Sequence, residues 1–370
     1  MDRDSPHKIV CRLPNGVRVF ASTPDELRFR KGVWSYTEAL VNLENQDLLI
    51  RNVIIAISQE LLQKDEASVT DVISRFGLNE DQSQKCLRIL DDLKSQGFLV
   101  SADDTSIGMS ISSLLGGQLL GFEQSISKVK PVLFVSDTDH AISAAKDIAG
   151  KLGLPLDVLD RSATMDIGGM NLTDRTDAIA LTSSMERVGK LFTPYGCVVA
   201  SFASPKVLLL RNINRILVRL EKPLILGLID GPFVSVLSAL APQTGCFECF
   251  EHRMLARLED TLVYHKFVES QRNVVHNGDQ DRGTIPALHM IVAAVLSEAF
   301  LYASSGLCRL AGRCVNIYLP LLEIQVEDLL RIGYCPACGH VAKLQMDEMY
   351  TSSREIVKAM LRNIEITQES

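Results

Sequence analysis

Hydrophobic and polar residues alternate along the beginning of the chain, as they do in half-buried strands. The alternation runs through residues 8–21, where a Pro-Asn-Gly turn divides it, and predicts a β-hairpin. A second extended pair is predicted at residues 26–30 and 34–43. We expect Trp34, which begins the second of these runs, to pack in the core.

The apolar spacing then becomes helical over residues 47–62. A short helix is predicted at residues 68–76, behind a serine cap, and a third helix at residues 80–96, behind the cap Asn79. A glycine ends the third helix, and a short apolar run returns as a strand. Strands, three helices and a returning strand are the order of a winged helix-turn-helix module, which we assign to residues 1–100.

The charges of the third predicted helix decide between two uses of such a module. Winged helices commonly bind DNA, whose phosphates repel carboxylates. This helix carries more acidic than basic residues: Glu80, Asp81, Asp91 and Asp92 against Lys85, Arg88 and Lys94. The module is therefore predicted to bind protein or peptide rather than nucleic acid.

Further along the chain, short buried-strand runs alternate with helical patterns. The predicted strands are residues 131–136, 156–159, 178–182, 198–202 and 224–228. The predicted helices are residues 139–152, 207–220, 285–303 and 326–332. This alternation predicts an α/β domain over residues 131–345 with a parallel, doubly wound sheet. Residues 101–130 are predicted to be a linker that enters a helix, and residues 346–370 a C-terminal tail.

Two cysteine pairs have the spacing of zinc knuckles. They are Cys246 with Cys249, and Cys335 with Cys338. Each pair lets two thiolates reach one ion from a single tight turn, and two such turns complete a closed, four-thiolate zinc site of structural type. The alternative is two unrelated pairs of buried or redox-active cysteines. Because two such pairs occur together, the spacing favours one zinc ion, which would join distant segments of one domain.

Composition and charge narrow the class of protein. The chain has 370 residues, 46% of them hydrophobic, which is typical of a globular protein of two or three domains. The net charge of −7 argues against a dedicated nucleic-acid-binding protein. The first residues carry mixed charge without an apolar run, so we expect no secretory signal and a cytoplasmic protein. Residues 285–303 contain a proline, a histidine and a glutamate and are predicted to form a buried helix rather than a membrane span.

The segment from Cys197 to Cys249 resembles the second half of a ThiF-like adenylation domain, the type found in ubiquitin-activating enzymes. It has a strand, a helix, a Lys222-Pro223 pair leading a strand with Gly227, and then the first cysteine pair. The resemblance covers residues 131–339 and implies a doubly wound domain with a structural zinc ion.

The sequence departs from active members of that family at the ATP site. The glycine-rich turn that would bind phosphates after the first strand is replaced by a glycine-free segment containing Asp137 and Asp139. Residues 200–204, where the family places a magnesium-binding aspartate, contain no carboxylate. Asp160 is a weak candidate for the acid that binds ribose. We therefore expect a degenerate domain that does not use ATP, with no catalytic residue of its own.

The first hundred residues resemble a PqqD-like module that recognises leader peptides. A PqqD-like module ahead of a ThiF-like domain is the layout of Ocin-ThiF-like proteins, the leader-binding partners of azole- and azoline-forming peptide cyclodehydratases. The resemblance implies that a precursor leader adds as a strand beside residues 37–43 and packs on the third helix. The candidate contacts that it implies are Thr37, Leu40, Val41, Leu43, Leu87, Arg88 and Asp91.

The resemblance also implies the partners. The chain would bind a precursor peptide through its leader and present it to a separate YcaO-type cyclodehydratase, with homodimerisation possible and no role for nucleic acid or membrane. One rival hypothesis is an ATP-dependent adenylating enzyme that acts on a peptide carboxylate. A third hypothesis is a winged-helix regulator with a metal-sensing domain.

Overall fold

The computed structural model describes residues 9–64, 66–101, 106–116, 128–173, 178–271 and 282–339. The chain divides into two compact units, residues 1–126 and residues 127–370. The expected tail at residues 346–370 lies outside the described residues.

The first unit contains six strands and four helices in its described residues. In chain order they are β1 Val10–Arg12, β2 Val17–Thr23, β3 Glu26–Lys31, β4 Thr37–Asn42, α1 Leu48–Lys64, β5 Glu66–Ser68, α2 Val69–Phe76, α3 Glu80–Ser95, β6 Val100–Ser101 and α4 Ser106–Leu114. The three predicted helices α1 to α3 are therefore confirmed. α4 lies within residues 101–130, the segment predicted to be a linker that enters a helix.

The strands of this unit form two separate sheets, and this overturns the predicted hairpin at residues 8–21. β2, β3 and β4 form one antiparallel sheet, whereas β1 pairs with β5 and β6 in another. The turn at Gly16, which has a φ of 84°, carries the chain from one sheet to the other. Alternation predicts a strand and its buried face, but it does not say which strand lies beside it.

The caps that the sequence predicts for α2 and α3 are present. The Ser68 hydroxyl accepts a hydrogen bond of 3.3 Å from the backbone N–H of Asp71. Asn79 and Gln82 form a reciprocal capping box at the start of α3. The helices and the β2-β3-β4 sheet share one core, to which Phe29, Leu61 and Leu90 belong.

The second unit contains seven strands and seven α-helices in its described residues. In chain order they are β7 Val132–Ser136, α5 Asp139–Leu152, β8 Leu156–Val158, α6 Arg161–Gly169, α7 Ala178–Phe192, β9 Cys197–Phe202, α8 Val207–Arg219, β10 Leu224–Asp230, β11 Phe233–Ala239, α9 Phe247–Leu255, α10 Thr261–Ser270, α11 Ile285–Ser305, β12 Arg313–Tyr318 and β13 Glu323–Asp328.

These strands form one mixed sheet in the order β13-β12-β11-β10-β9-β7-β8. β8, β7, β9 and β10 are parallel, as predicted, but β11, β12 and β13 are antiparallel. The predicted parallel sheet is therefore the half from β8 to β10, and the antiparallel half was not predicted. Only two residues, Gly231 and Pro232, join β10 to β11, and so short a connection forces an antiparallel pair.

Helices cover both faces of the parallel half. Residues of α6, α7 and α8 pack in a core against one face, and α5 and α11 pack against the other. Gly227 on β10 allows the close approach of α11, because a Cβ there would lie 2.0 Å from Cγ2 of Ile291. Lys222, the other residue of the sequence motif, donates hydrogen bonds from its ammonium group to the backbone carbonyls of Thr193, at 2.6 Å, and of Tyr195. Both motif residues therefore have structural roles in this fold.

Two further predictions of local structure are wrong. Residues 178–182 begin α7 instead of forming a strand, since a five-residue apolar run is too short to separate the two periodicities. The helix predicted at residues 326–332 is absent, because β13 continues to Asp328 and an irregular segment follows. By contrast, the helix predicted at residues 285–303 is confirmed as α11. This helix is long and apolar enough to span a membrane by length and composition, yet more than half of it is buried within the fold.

Candidate metal centre, switch-point crevice and peptide-binding edge

The two cysteine pairs meet in the second unit. The Sγ atoms of Cys246, Cys249, Cys335 and Cys338 all lie within 4.8 Å of one another, and all four side chains are buried. Cys246 and Cys335 are separated by 3.6 Å between sulfurs, and Cys249 and Cys338 by 3.4 Å. A tetrahedral zinc ion with Zn–S bonds of about 2.3 Å requires sulfurs about 3.8 Å apart. The observed spacing fits that requirement and is far longer than a disulfide bond.

The local chain is built to hold these sulfurs. Cys246 is the N-cap of α9, so Cys249 follows one turn later on the same side of the helix. Gly339 closes the second knuckle, where a Cβ would lie 2.5 Å from the carbonyl oxygens of Gly333 and Cys335. No other residue fits this turn without moving the backbone.

Hydrogen-bond donors surround the sulfurs. The backbone N–H of Ile332 donates to Sγ of Cys249 at 3.4 Å, and Nδ2 of Asn214 donates to Sγ of Cys246 at 3.6 Å. Hydrogen bonds from Cys246 lower the pKa of Cys249 and lower that of Cys335 to about 6, whereas the hydrogen bonds within the cluster raise the pKa of Cys246 and Cys338. Zinc binds cysteine as the thiolate, and four thiolates would leave no coordination position for water.

Two buried ion pairs join α8 to α9 beside the cysteine cluster. Arg215 binds Glu248 through two hydrogen bonds of 2.9 Å, and Arg211 binds Glu251 in the same bidentate manner. The hydroxyl of Tyr264 donates to Glu251 at 2.6 Å. The two arginines and the two glutamates line a cavity of about 490 Å³, to which His252, His265 and Pro336 also contribute. The two ion pairs were not predicted from the sequence, although arginines four apart and glutamates three apart mark one face of each helix.

The crevice at the carboxyl ends of the parallel strands is bridged by a carboxylate. The chain passes from β7 to β8 on one side and returns to β9 on the other, so the strand order reverses between β7 and β9. Such a switch point is where doubly wound folds bind nucleotides. Asp137, which follows β7, accepts hydrogen bonds of 3.0 Å from the backbone N–H groups of Ala203 and Ser204, which follow β9. Burial raises the pKa of Asp137, and these two hydrogen bonds oppose that rise.

The other two acids of this region have local partners. The carboxylate of Asp160, the candidate for a ribose-binding acid, caps α6 and accepts a hydrogen bond of 3.0 Å from the N–H of Ser162. Hydrogen bonds from Ser162 lower the pKa of Asp160. Asp139 opens α5 and lies 3.8 Å from Arg161 in an exposed ion pair. Asp160 therefore has a structural role as a helix cap.

β4 is an edge strand of the β2-β3-β4 sheet. It pairs with β3 on one side, and within the described residues it has no strand partner on the other. Asp47, which follows β4, accepts a hydrogen bond of 3.1 Å from Gln82 in the first turn of α3. The chain leaving β4 is thereby tied to the beginning of α3, the helix that carries the remaining candidate peptide contacts.

The candidate peptide contacts fall into three groups. Val41 and Leu43 are buried in the core, so their side chains are unavailable to a ligand. Thr37, Arg88 and Asp91 are exposed, as is Leu40, which is 51% exposed. Leu87 is partly buried against the core. The outward positions of β4 and α3 are therefore the available ones.

The expectation that Trp34 packs in the core is wrong. Trp34 lies in the turn between β3 and β4, and its side chain is 94% exposed. The neighbouring Val33 and Tyr36 are also exposed. The apolar character of residues 33–36 suggested burial, but they form a turn beyond the ends of both strands.

Comparison with known proteins shows what this fold resembles. No protein-family model and no curated protein matches the chain. Among solved structures, a heterocyclase in complex with substrate and cofactor matches with a TM-score of 0.59 and 13% identity. That match covers 92% of this chain and 41% of the heterocyclase. The heterocyclase TruD matches with a TM-score of 0.57 and 13% identity, over 92% of this chain and 44% of TruD.

A third similarity is weaker. MccB of E. coli, solved with ATP, matches with a TM-score of 0.48 and 13% identity over 89% of this chain and 99% of MccB. A similarity at that level carries no argument about function. The two heterocyclase matches show that the chain shares their fold over less than half of their length.

Proposed function

We propose that this chain is a leader-peptide-binding scaffold that presents a ribosomal precursor peptide to a YcaO-type cyclodehydratase. The cyclodehydratase would use ATP to close thiazoline or oxazoline rings on the bound peptide. The observation that carries the proposal is the available edge of β4 beside α3. A peptide strand that pairs with this edge gains backbone hydrogen bonds, and its side chains reach Leu40, Thr37, Arg88 and Asp91.

In this proposal the first unit contains the winged-helix recognition module, residues 1–100, and the second contains the ThiF-like domain, residues 131–345. The mainly acidic exposed surface of α3 favours a peptide over a nucleic acid. The fold likeness to heterocyclases supports a setting in peptide heterocycle formation. Because the chain spans about two-fifths of those proteins, the catalytic component and its contact with this chain belong to the proposal.

The second unit has a supporting role in this account. Asp137 lies in the turn after β7, where the family's glycines would bind phosphates, and its carboxylate is hydrogen-bonded across the switch point to the backbone N–H groups of Ala203 and Ser204. We infer that the domain works without ATP. Pyrophosphate exchange between ATP and candidate precursor peptides tests this inference: no exchange is expected, and ATP-dependent exchange would favour an adenylating enzyme.

We propose that the cysteine cluster holds one structural zinc ion. The four thiolates would close the coordination sphere, and the ion would join α9 to the segment after β13. It would stabilise the second unit and take no part in chemistry. The proposed protein is cytoplasmic, and it works as a monomer or as a homodimer.

Calorimetric titration with synthetic candidate precursor peptides tests the central proposal. Leu40→Asp places a charge on the outward face of β4, and Phe20→Asp places the same charge on β2, at the opposite edge of the sheet. Both side chains are exposed, and both face the same neighbour, Arg28. We expect Leu40→Asp to weaken peptide binding about tenfold or more and Phe20→Asp to leave it nearly unchanged. Equal effects of the two variants would contradict binding at β4.

A further inference from the structure

The turn between β3 and β4 is held in one conformation. Arg30 stacks on Tyr36, with its guanidinium carbon 3.6 Å from the ring centroid, and donates a hydrogen bond of 2.8 Å to the carbonyl of Val33. Gly32 has a φ of 89°, and a Cβ there would lie 2.5 Å from the carbonyl oxygen of Ser35. These contacts fix the backbone on both sides of Trp34.

Trp34 is the single tryptophan of the chain, and it lies almost fully in solvent at the tip of this turn. An exposed indole on a fixed backbone loses little conformational entropy when a partner covers it, and tryptophan is enriched among residues that dominate binding energy. The stacking of Arg30 on Tyr36 stabilises the turn, but none of the described residues covers the indole. The turn therefore has the properties of a binding surface.

The position of the turn relates it to the proposed peptide-binding edge. Thr37 is the first residue of β4 and follows Tyr36 directly. A peptide strand paired with β4 and extending past Thr37 meets the turn at residues 33–36. The same peptide can therefore contact the edge of β4 and Trp34 together.

The charges at this end of the sheet indicate the chemistry of that peptide. Arg18 on β2 lies directly opposite Arg30 on β3, and Lys31 is the next residue along β3. Like charges opposite each other across a sheet repel. Glu38 on β4 lies opposite Arg30 and accepts a hydrogen bond from Arg28. Glu26 also forms an ion pair with Arg28, at 3.4 Å. Two carboxylates among four cations leave a local positive charge in a chain whose net charge is −7.

We propose that Trp34 is a specificity-determining contact for an extended, acidic peptide segment that binds along β4. An apolar side chain of the peptide packs on the indole, and a neighbouring carboxylate lies near Lys31, which pairs with Thr37 at the start of β4. This inference rests on the proposed function, because the peptide is the strand that pairs with β4.

Selection from a display library of random peptides, with the full-length protein as bait, supplies the probe. Peptides selected on the wild-type protein are expected to be enriched in Asp and Glu beside an apolar residue. Because Trp34 is the single tryptophan, its fluorescence reports on this turn alone. Binding of a selected peptide is expected to shift its emission to shorter wavelength and to protect it from acrylamide quenching.

Variants separate the contact from a general effect. Trp34→Ala is expected to weaken binding of the selected peptides about tenfold or more, whereas Trp34→Phe retains most of the affinity. Lys31→Glu is expected to weaken binding and to reduce its salt dependence. Tyr334→Ala is the matched control, since Tyr334 is an exposed aromatic residue of the second unit. It is expected to have no effect.

The outcomes distinguish this inference from the proposed function. Peptides that protect the amides of β4 but leave Trp34 fluorescence and the Trp34→Ala affinity unchanged would overturn the inference and leave the proposed function standing. A selection that yields no binding peptide would overturn both. A fluorescence shift on concentrating the protein alone, or on adding anionic vesicles without peptide, would assign the turn to self-association or to a membrane surface and overturn the inference.

Discussion

The carboxylate of Asp137 accepts a hydrogen bond of 3.0 Å from the backbone N–H of Ala203 and thereby ties the end of β7 to the end of β9. β7 and β9 are neighbours in the sheet. The strand that follows β7 along the chain is β8, on one side, and the strand that follows β9 is β10, on the other. A doubly wound domain normally leaves its backbone donors at this point available to a ligand. In this protein a side chain of the same domain uses them.

Asp137→Ala is expected to destabilise the second unit by about 1–3 kcal/mol, because it leaves two backbone N–H groups without their acceptor. Urea unfolding monitored by circular dichroism measures the change. Asp147→Ala is the control: Asp147 is an exposed residue of α5 in an (i, i+4) pair with Lys151, worth about 0.5 kcal/mol or less. Equal destabilisation by the two variants would contradict a bridging role for Asp137.

The pH dependence of the same pair of proteins provides a second check. Burial raises the pKa of Asp137 above its usual value, so the folded state retains the carboxyl proton of Asp137 to higher pH than the unfolded state does. The stabilisation from Asp137 is therefore complete below the ordinary carboxyl pKa and decreases as pH rises through the raised value. The stability difference between wild type and Asp137→Ala is expected to be larger at acidic than at neutral pH. A stability difference that grows toward neutral pH would contradict the expected direction of this pH dependence.

The cysteine cluster predicts about one zinc ion per chain, measurable by elemental analysis of protein purified without chelator. Cys335→Ser is expected to lose the ion and destabilise the second unit by several kcal/mol, because metal binding contributes directly to folding. Cys308→Ser is the control, since Cys308 lies outside the cluster and donates to Glu298 at 3.4 Å. It is expected to retain the zinc.

Three results would contradict a zinc site at these cysteines. Wild-type protein without zinc, or Cys335→Ser protein with a full equivalent of zinc, would contradict the metal centre. A disulfide between any two of the four cysteines under reducing purification would contradict it as well.

Gly227→Ala is expected to destabilise the second unit by about 1–3 kcal/mol, because the new methyl group would overlap Ile291 of α11. Gly189→Ala changes a helical glycine whose added Cβ would meet no atom within 4 Å. That variant is expected to stabilise α7 by up to about 1 kcal/mol. Thermal unfolding of both variants measures the two effects. Destabilisation of Gly227→Ala that Ile291→Ala does not relieve in the double variant would contradict the overlap.

The buried pair of Arg215 and Glu248 predicts strong coupling between α8 and α9. Arg215→Ala leaves Glu248 buried without its cation and is expected to cost about 3–5 kcal/mol. Arg215→Met combined with Glu248→Leu removes both charges and is expected to recover most of that loss. A double-mutant cycle in urea measures the coupling free energy. Additive effects of the single changes would contradict a direct interaction.

Local sequence signals predicted the helices of the first unit well, because caps and periodicity act within a few residues. Ser68 and Asn79 marked the starts of α2 and α3, and both cap geometries are present. The partner of β1 could not be predicted in this way, since Cys11 pairs with Ala67 and Ser101, far along the chain. The antiparallel half of the large sheet was missed because Gly231 and Pro232 were not recognised as a hairpin turn.

The cysteine cluster was predictable because spacing alone places two thiolates on each knuckle. The hydrogen bonds of Asp137 were not, since its acceptor role joins loops that are separated by more than sixty residues. Trp34 was predicted to be buried on residue type, but burial is decided by where the strands end. The errors at β1 and Asp137 concern contacts between segments distant in sequence, and the error at Trp34 concerns the exposure of a turn.

The most direct test of the account is backbone amide NMR of the full-length protein as a saturating candidate precursor peptide is added. Amide signals of residues 37–43 are expected to shift and gain protection from solvent exchange, with smaller shifts at Arg88 and Asp91 on α3. β2, at the opposite edge of the sheet, is expected to remain unchanged. A saturating peptide that leaves the amides of β4 unperturbed, or that perturbs β2 instead, would contradict the claim that β4 receives the leader strand.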